Sequence, residues 1–321
     1  MKIAIIGGSG FIGSYLGRAL HEKGIDFKII DIHPSSIHQA RWVYGDVRDT
    51  QQLSPLLSDC QVIINLAAEH KDNVTPVSLY DEVNVDGAAA LCKAAEAAGI
   101  KKIIFTSSVA VYGLPVNETD ESGAFNHFND YGRTKLLAEK VYESWFHAAQ
   151  DRSLIVIRPT VVFGPGNRGN VYNLLKQVAS NWFMMIGHGD NRKSMVYVGT
   201  VVALLIHSLG LQGHVITNCV DKPDYSMNEL VRFVRRTMGK SEKIQVRIPM
   251  FVGMVIGGIL DVVSKLSGVK FPVSRVRVQK FCASTQFKAN GFEKIGFKSP
   301  YAIEDSLRVT VEAEFGVSRH V

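Results

Sequence analysis

A tyrosine and a lysine stand four residues apart in Tyr131-Gly132-Arg133-Thr134-Lys135. In a helix that spacing places both side chains on one face. A cation held there favours the tyrosinate and lowers the phenol from its ordinary pKa of about 10, which makes Tyr131 a usable general base. Upstream, Thr106-Ser107-Ser108 closes an apolar run, with Ser108 lying 23 residues before Tyr131. A hydroxyl there can bond a reacting oxygen. Any Tyr-x-x-x-Lys taken alone is more often surface than catalysis, so its meaning depends on the elements that position it.

Those elements alternate from the first residue. Lys2–Ile6, Phe27–Ile30, Val62–Leu66, Lys102–Ser107 and Leu154–Ile157 read as strands, and Ile12–Lys23, Thr50–Ser58, Tyr80–Ala98 and Tyr131–Gln150 as helices. Strands that are apolar throughout are buried on both faces, as in a parallel sheet covered by helices. The fold class expected is therefore α/β, a doubly wound parallel sheet. After Arg158-Pro159 the rhythm breaks at Gly164-Pro165-Gly166-Asn167-Arg168-Gly169. This predicts a Rossmann domain over residues 1–164, completed from about 198–218, with residues 165–321 mainly in a smaller substrate-binding lobe.

The first turn reads Gly7-Gly8-Ser9-Gly10-Phe11-Ile12-Gly13, between a strand and a helix. Gly7 permits a tight turn, Gly10 lets backbone approach a pyrophosphate, and Gly13 lets helix pack on strand, with the helix N-terminus facing the phosphates. Eighteen residues beyond Gly13, Asp31 ends the second strand. A carboxylate there bonds a ribose diol and repels a 2′-phosphate, so NAD is favoured over NADP; the plainer reading is an Asp opening a turn before Pro34. Gly45-Asp46-Val47 and Asn65-Leu66-Ala67-Ala68 also fall at strand C-terminal ends, where ligands bind in open α/β sheets.

With these motifs together, the chain resembles the extended short-chain dehydrogenases/reductases of the NAD-dependent epimerase/dehydratase group, with specific motifs from Gly7 to about Pro165 and looser ones beyond. The resemblance implies a catalytic set of Ser108, Tyr131 and Lys135, with Lys135 also reaching the nicotinamide ribose. It implies NAD contacts at Gly7, Gly10, Phe11, Ile12, Gly13 and Asp31, adenine held by Asp46 and Val47, and a groove lined by Leu66, Ala67 and Ala68. Pro159 falls in the segment beside the nicotinamide, and Asn84 matches a helix asparagine that is usually structural. Members commonly pair through the two helices flanking the site, so a homodimer is expected. The run Gly87-Ala88-Ala89-Ala90 permits close helix packing between copies, though packing within one chain explains it nearly as well.

The group's 4,6-dehydratases carry Asp and Glu after the catalytic hydroxyl. Here Val109 and Ala110 stand there, which argues against dehydration. What remains is proton and hydride transfer, with epimerisation of a nucleotide sugar (the UDP-sugar 4-epimerase type, in surface-polysaccharide synthesis) as the first reading. Segments around Lys193 and around Arg275–Thr285 resemble those of such epimerases. Candidate substrate contacts are Asn167, Arg168, Asn170 and Lys193. A departure is Val161-Val162 where sugar epimerases often have an asparagine pair. It keeps open a 3β-hydroxysteroid-type dehydrogenase, and, from another class, a non-catalytic NAD-sensing regulator.

The composition, 46% hydrophobic and 21% charged over 321 residues, excludes disorder, collagen and coiled coil. Cys60, Cys92, Cys219 and Cys282 form no CxxC, and the ten histidines show no HExxH, so no metal and a reducing compartment are expected. The opening residues leave no room for a signal peptide, which points to the cytoplasm. The apolar run from Ile248 to Leu260 is too short to span a membrane and reads as a buried helix, or at most an interfacial one. The formal charge of +6 is unevenly spread. Residues 1–150 hold 13 Lys and Arg against 18 Asp and Glu, whereas residues 151–321 hold 23 against 12. From Lys265 to Lys298 there are eight basic residues and one acidic, Glu293. This disfavours a general nucleic-acid surface and favours an anionic substrate or peripheral contact with an anionic membrane.

Overall fold

The computed structural model describes residues 1–71, 74–115, 117–180, 183–244, 246–267 and 274–316. Seven parallel strands form the main sheet: β1 (Lys2–Ile6), β2 (Asp26–Asp31), β3 (Trp42–Tyr44), β4 (Val62–Asn65), β5 (Lys102–Thr106), β6 (Ser153–Pro159) and, after a long excursion, β10 (His214–Cys219). Their order is β3-β2-β1-β4-β5-β6-β10. Every residue of β4, β5 and β6 is buried, which is why these segments lack polar alternation.

Alternate side chains feed two cores. Ala4, Ile6, Ile63, Ile103, Phe105 and Val156 pack under α2 (Thr50–Leu57), α4 (Gly87–Ala97) and α5 (Asp130–His147). Ile3, Ile5, Ile64, Ile104, Ile155 and Ile157 pack under α1 (Phe11–Glu22) and α7 (Val198–His207). The expected α/β doubly wound sheet is therefore present, with helices on both faces.

The helix read as Tyr80–Ala98 is not continuous. A short α3 (Leu79–Asp81) passes through a π turn, Glu82–Asp86, into α4. The π turn contains the buried Asn84. In the following run Gly87, Ala88 and Ala90 are buried within the chain, and a Cβ on Gly87 would meet the Val47 side chain at 2.9 Å. Intramolecular packing thus accounts for most of the small residues offered for pairing.

Beyond β6, β7 (Val161–Phe163), β9 (Arg192–Tyr197) and β11 (Asp221–Ser226) form a second sheet in the order β11-β9-β7, and β8 (Met184–Ile186) pairs with β12 (Val246–Ile248). Phe163, Met195, Leu175, Leu230, Val234 and Leu307 build a third core with α6 (Asn170–Ala179), α8 (Met227–Thr237) and α12 (Ile303–Phe315). A capping box of Ser226 and Glu229 starts α8.

The run expected to be a buried helix, or at most an interfacial one, lies mostly in α9 (Met250–Ser267), and the buried alternative fails. One face of α9 is exposed, with Phe251 at 71%. The reason is coverage: α9 packs on α10 (Arg275–Cys282) through glycines, and nothing else among the described residues covers its other side. Lys270 of the basic run lies outside the described residues. A short α11 (Gly291–Lys294) leads towards α12.

Gly13 is constrained by contact, because a Cβ there would stand 2.4 Å from the Gly8 carbonyl oxygen, which is backbone and cannot turn aside. Gly13→Ala should therefore cost about 1–3 kcal/mol or more by overpacking. Equilibrium denaturation reads this directly, and an unchanged midpoint would refute the contact.

Candidate active site

Ser108 and Tyr131 meet because two turns are pressed together. Ser108 caps the 3-10 turn Val109–Tyr112, its Oγ accepting from the Ala110 N–H at 3.1 Å. Asn129 caps α5, its side chain accepting from the Gly132 N–H at 3.0 Å. Gly132 then lies so close to the first turn that a Cβ would sit 2.4 Å from the Ala110 carbonyl oxygen. Only glycine permits this approach, which brings the Ser108 hydroxyl into hydrogen-bonding contact with the half-buried Tyr131 phenol. Gly113, at φ 75°, reverses the chain on the far side of the turn.

Lys135 follows one turn later on α5 and is only 2% exposed. Its Nζ lies 4.4 Å from the centre of the Phe105 ring, a cation–π contact. Burial pushes its pKa down to about 7, with Glu139 pulling the other way. The expectation that the lysine lowers the tyrosine needs correcting. Desolvation raises Tyr131 above its ordinary value, and the opposing influence is the Ser108 hydrogen bond rather than the lysine charge. In this geometry Tyr131 keeps its proton, and Lys135 is easily neutralised.

Behind these residues lies a buried ion pair absent from the sequence reading. Arg158 on β6 donates through Nε to Glu139 Oε1 at 2.9 Å and through Nη2 to Glu139 Oε2 at 2.6 Å. Its Nη1 donates to the Tyr112 hydroxyl at 2.6 Å, which in turn donates to Asn218 Oδ1 at 3.1 Å. Ser107 Oγ also donates to Glu139. The available signal was Glu139 at four residues past Lys135, hence on the same helix face. Its arginine partner comes from a distant strand and leaves no local mark.

Asn84 braces the same helix. Its Oδ1 accepts from the Glu69 N–H at 2.8 Å, and its Nδ2 donates to the Glu69 carbonyl at 3.0 Å and to Thr134 Oγ1 at 2.9 Å. The π turn thus directs a side chain between the loop after β4 and α5, a use seen at functional sites.

At the nucleotide end, Gly7 adopts φ 72°, and a Cβ there would stand 2.5 Å from the Ala67 nitrogen. Leu66, Ala67 and Ala68 are half-buried beside it, with Leu66 donating to Ile6 and Ala67 to Asn65 Oδ1. Helix α1, beginning at Phe11 and Ile12, has Gly10 at its N-cap and no side chain capping it. Asp31 does both things weighed above: Oδ1 accepts from the His33 N–H in a turn, and Oδ2 accepts from the Ser9 N–H of the glycine loop at 3.0 Å. Asp46 ends at the same sheet edge, where Arg48 holds its carboxyl below the usual range. Val47 is buried in the core, and Pro159 ends β6. A glycine turn open at a helix N-terminus, a carboxylate tied to it and a groove along β4 suit a dinucleotide.

The four substrate candidates are not gathered into one cluster. Arg168 pairs with Glu314 at 2.9 Å and lies over the Tyr172 ring, Asn167 bonds the Val162 carbonyl, and Asn170 is exposed at the start of α6. Lys193 donates to the Lys280 carbonyl at 2.8 Å, and burial lowers its pKa to about 8. Lys280 stands over the ring of Phe128, three residues before Tyr131, so Lys193 connects to the rim of the site through α10. The fold also brings Glu143 and His147 together with the sequence-distant His214, their ligand atoms lying within 4.8 Å of one another. The two on α5 lie roughly 18 and 24 Å along the helix from Tyr131, and His214 comes from β10.

Residues 3–216 match the family described as NAD dependent epimerase/dehydratase family. The chain belongs to that family. As a member of it the protein is an NAD-dependent enzyme of the extended short-chain dehydrogenase/reductase type, as the motifs led one to expect. It is 45% identical over 319 residues, 98% of this chain and 95% of the relative, to an N-acetyl-alpha-D-glucosaminyl-diphospho-ditrans,octacis-undecaprenol 4-epimerase of Escherichia coli O157:H7. A UDP-glucose 4-epimerase of Vibrio cholerae is 25% identical, with 97% of this chain and 95% of the relative covered. In fold the enzyme is similar to the UDP-glucuronic acid 4-epimerase of Bacillus cereus solved with UDP-glucuronic acid and NAD, at TM-score 0.74 and 19% identity over 98% of this chain and 99% of that one.

Two measurements test this arrangement. Arg158→Met leaves Glu139 buried without its partner and should destabilise the enzyme by about 3–5 kcal/mol; a loss below about 1 kcal/mol would show the pair to be dispensable. Lys135 and Lys193 both have folded pKa values below the ordinary 10.5, so between about pH 7 and that value the unfolded chain binds more protons and stability rises with pH. Below that window both states are protonated and the penalty is full. Lys135→Met should flatten the rise between about pH 7 and pH 9, and parallel stability curves for the two proteins would refute the buried, low-pKa lysine.

Proposed function

We propose that this enzyme is a 4-epimerase of an N-acetylhexosamine carried on a diphosphate, and that the carrier is a polyprenyl lipid. The observation that supports it most is the 45% identity, running the length of the chain, to the undecaprenol-linked 4-epimerase. The site agrees with it in kind. Ser108, Tyr131 and Lys135 supply a hydroxyl pair and a titratable cation, while Val109 and Ala110 supply no acid or base for elimination. Val161, 47% exposed where related epimerases often have an asparagine, leaves an apolar contact where a nucleotide would ask for a polar one.

Gly7, Gly10, Phe11, Ile12, Gly13, Asp31, Asp46, Val47 and the segment Leu66–Ala68 would hold NAD, with Pro159, Tyr131 and Lys135 towards its nicotinamide end. When bound, that cofactor supplies the acceptor and later the donor of a hydride at the sugar carbon. The chain's own work is to hold the hydroxyl and move its proton. Tyr131 would act here as the phenolate, its Oη taking the proton from the 4-hydroxyl as the carbon becomes a ketone and, as the phenol, returning it after the sugar presents its other face. Ser108 bonds the same oxygen throughout. A phenol held above its ordinary pKa suits the return step, and the first step calls for its ionised form, towards which the Ser108 hydroxyl pulls it. No proton and no hydride is lost over the cycle, which separates epimerisation from dehydrogenation.

The carrier, pairing and cellular site go with this reading: a cytoplasmic enzyme, acting as a homodimer, meeting a substrate anchored in a membrane. No helix among the described residues is long and apolar enough to cross one.

Incubation with N-acetylglucosaminyl diphosphate on a short polyprenol, and in parallel with UDP-N-acetylglucosamine, should give N-acetylgalactosamine from the lipid-linked sugar without net NADH. Conversion of the UDP-sugar alone would replace the lipid carrier by a nucleotide, and accumulating NADH would replace epimerase by dehydrogenase. Tyr131→Phe should lower turnover about 10²–10⁴-fold while NAD still binds; turnover within a few-fold of the unsubstituted enzyme would remove Tyr131 from the chemistry.

A further inference from the structure

The second half of the chain carries the positive charge, and α9 carries an apolar face that the rest of the described protein leaves open. Phe251, Val255, Ile259 and Val262 recur at helical spacing and are 71%, 58%, 58% and 59% exposed. Opposite them Gly253 and Gly257 form the packing side. A Cβ on Gly257 would stand 2.7 Å from the Arg275 nitrogen, and one on Gly253 would stand 2.9 Å from Ile186 of β8. The single acid of α9, Asp261, accepts from the Arg275 N–H at 3.0 Å and so faces α10. Every acidic group of this helix is therefore turned from the open face, and the helix beside it exposes Arg275, Val276 and Arg277.

We propose that the open face of α9, flanked by the arginines of α10, docks on the anionic headgroup layer of a lipid bilayer. An amphipathic helix with apolar residues on one side and cations at its border lies in the plane of that layer, held by buried apolar area and by attraction to anionic lipid. Charge complementarity selects this occupant: exposed Arg275 and Arg277 border the apolar face while the one acid of α9 faces α10, so the surface would repel a second copy of itself and attract acidic phospholipid. The surface is also joined to the site. Helix α10 starts against α9 and carries Lys280 in its last turn, where its carbonyl receives Lys193 and its Nζ stands over the Phe128 ring near Tyr131. A bilayer against α9 thus lies roughly 10 Å, one helix diameter, from the elements that reach the site rim. The inference deepens the lipid-linked reading and takes its purpose from it.

Flotation of the full-length protein with sugar-free vesicles tests docking apart from catalysis. Binding to phosphatidylglycerol-rich vesicles is expected to exceed binding to phosphatidylcholine vesicles by at least about tenfold and to fall as salt is raised. A Phe251→Ser, Val255→Ser, Ile259→Ser triple variant should lose at least about tenfold in vesicle binding while still epimerising a short-chain, water-soluble carrier. Arg275→Glu with Arg277→Glu should weaken binding to the anionic vesicles only, which reads the surface independently if the triple variant folds poorly. Wild-type protein that floats with neither vesicle, or variants that bind like wild type, would overturn the proposal. So would a dimer in sedimentation that the triple variant dissolves, since a second copy would then be the occupant. Turnover of the soluble carrier without vesicle binding sinks the docking surface alone; vesicle binding without turnover of any lipid-linked sugar sinks the functional reading alone.

Discussion

The buried pair of Arg158 and Glu139 is the constraint on which the other positions depend. Burying two charges is costly unless both are fully engaged, and here the guanidinium is satisfied by a bidentate carboxylate and a phenol. Those contacts come from different elements: Arg158 from β6, Glu139 from α5, Tyr112 from the turn after β5 and Asn218 from β10. Moving any one of them leaves a charge or a polar group unpaired. Helix α5 is thereby fixed in rotation relative to the sheet, which sets where Tyr131 and Lys135 face. Asn218 also donates to the Lys288 carbonyl at 2.8 Å, so a segment of the basic region hangs from the same network.

Much of the first half of the chain was legible because its physics is local. A strand buried on both faces must be apolar, and a glycine turn must be glycine where a Cβ would strike backbone, as at Gly7 and Gly13. Tyr131 and Lys135 were readable as one helix face, and Ser108 as a strand end. What escaped was either long-range or dependent on solvent access. The Arg158 partner comes from 19 residues away in the chain. The direction of the Tyr131 shift depends on how much water reaches the phenol, and spacing says nothing of that. The apolar run in α9 reads alike whether it is covered or open, since hydropathy records what a residue prefers and not what lies over it. The π turn is invisible for a related reason: Glu82–Asp86 contains no helix breaker.

The two halves of the enzyme divide the work by the kind of restraint they use. The main sheet holds its reactive groups with buried bonds to backbone and to one another, so they are placed once and stay. The smaller lobe is held by its own buried core around Phe163, Leu230 and Leu307, to which it adds ion pairs nearer the surface, such as Arg168 with Glu314, and long side chains tied to carbonyls, such as Lys193. Exposed pairs of that kind are worth little individually.

The π turn at Glu82–Asp86 places one more residue in its helix than a regular ladder would take. Asn84 points between Glu69 and Thr134 because of that added residue, while α3 and α4 keep their own buried faces on either side. Losing a single codon in this stretch would let the helix close into ordinary α geometry with α3 and α4 still in phase, but would take away the added residue that directs Asn84 between Glu69 and Thr134. Substitutions along this helix are judged by side-chain size, but its length is fixed to the residue, and sequence drift here must proceed by replacement and not by deletion.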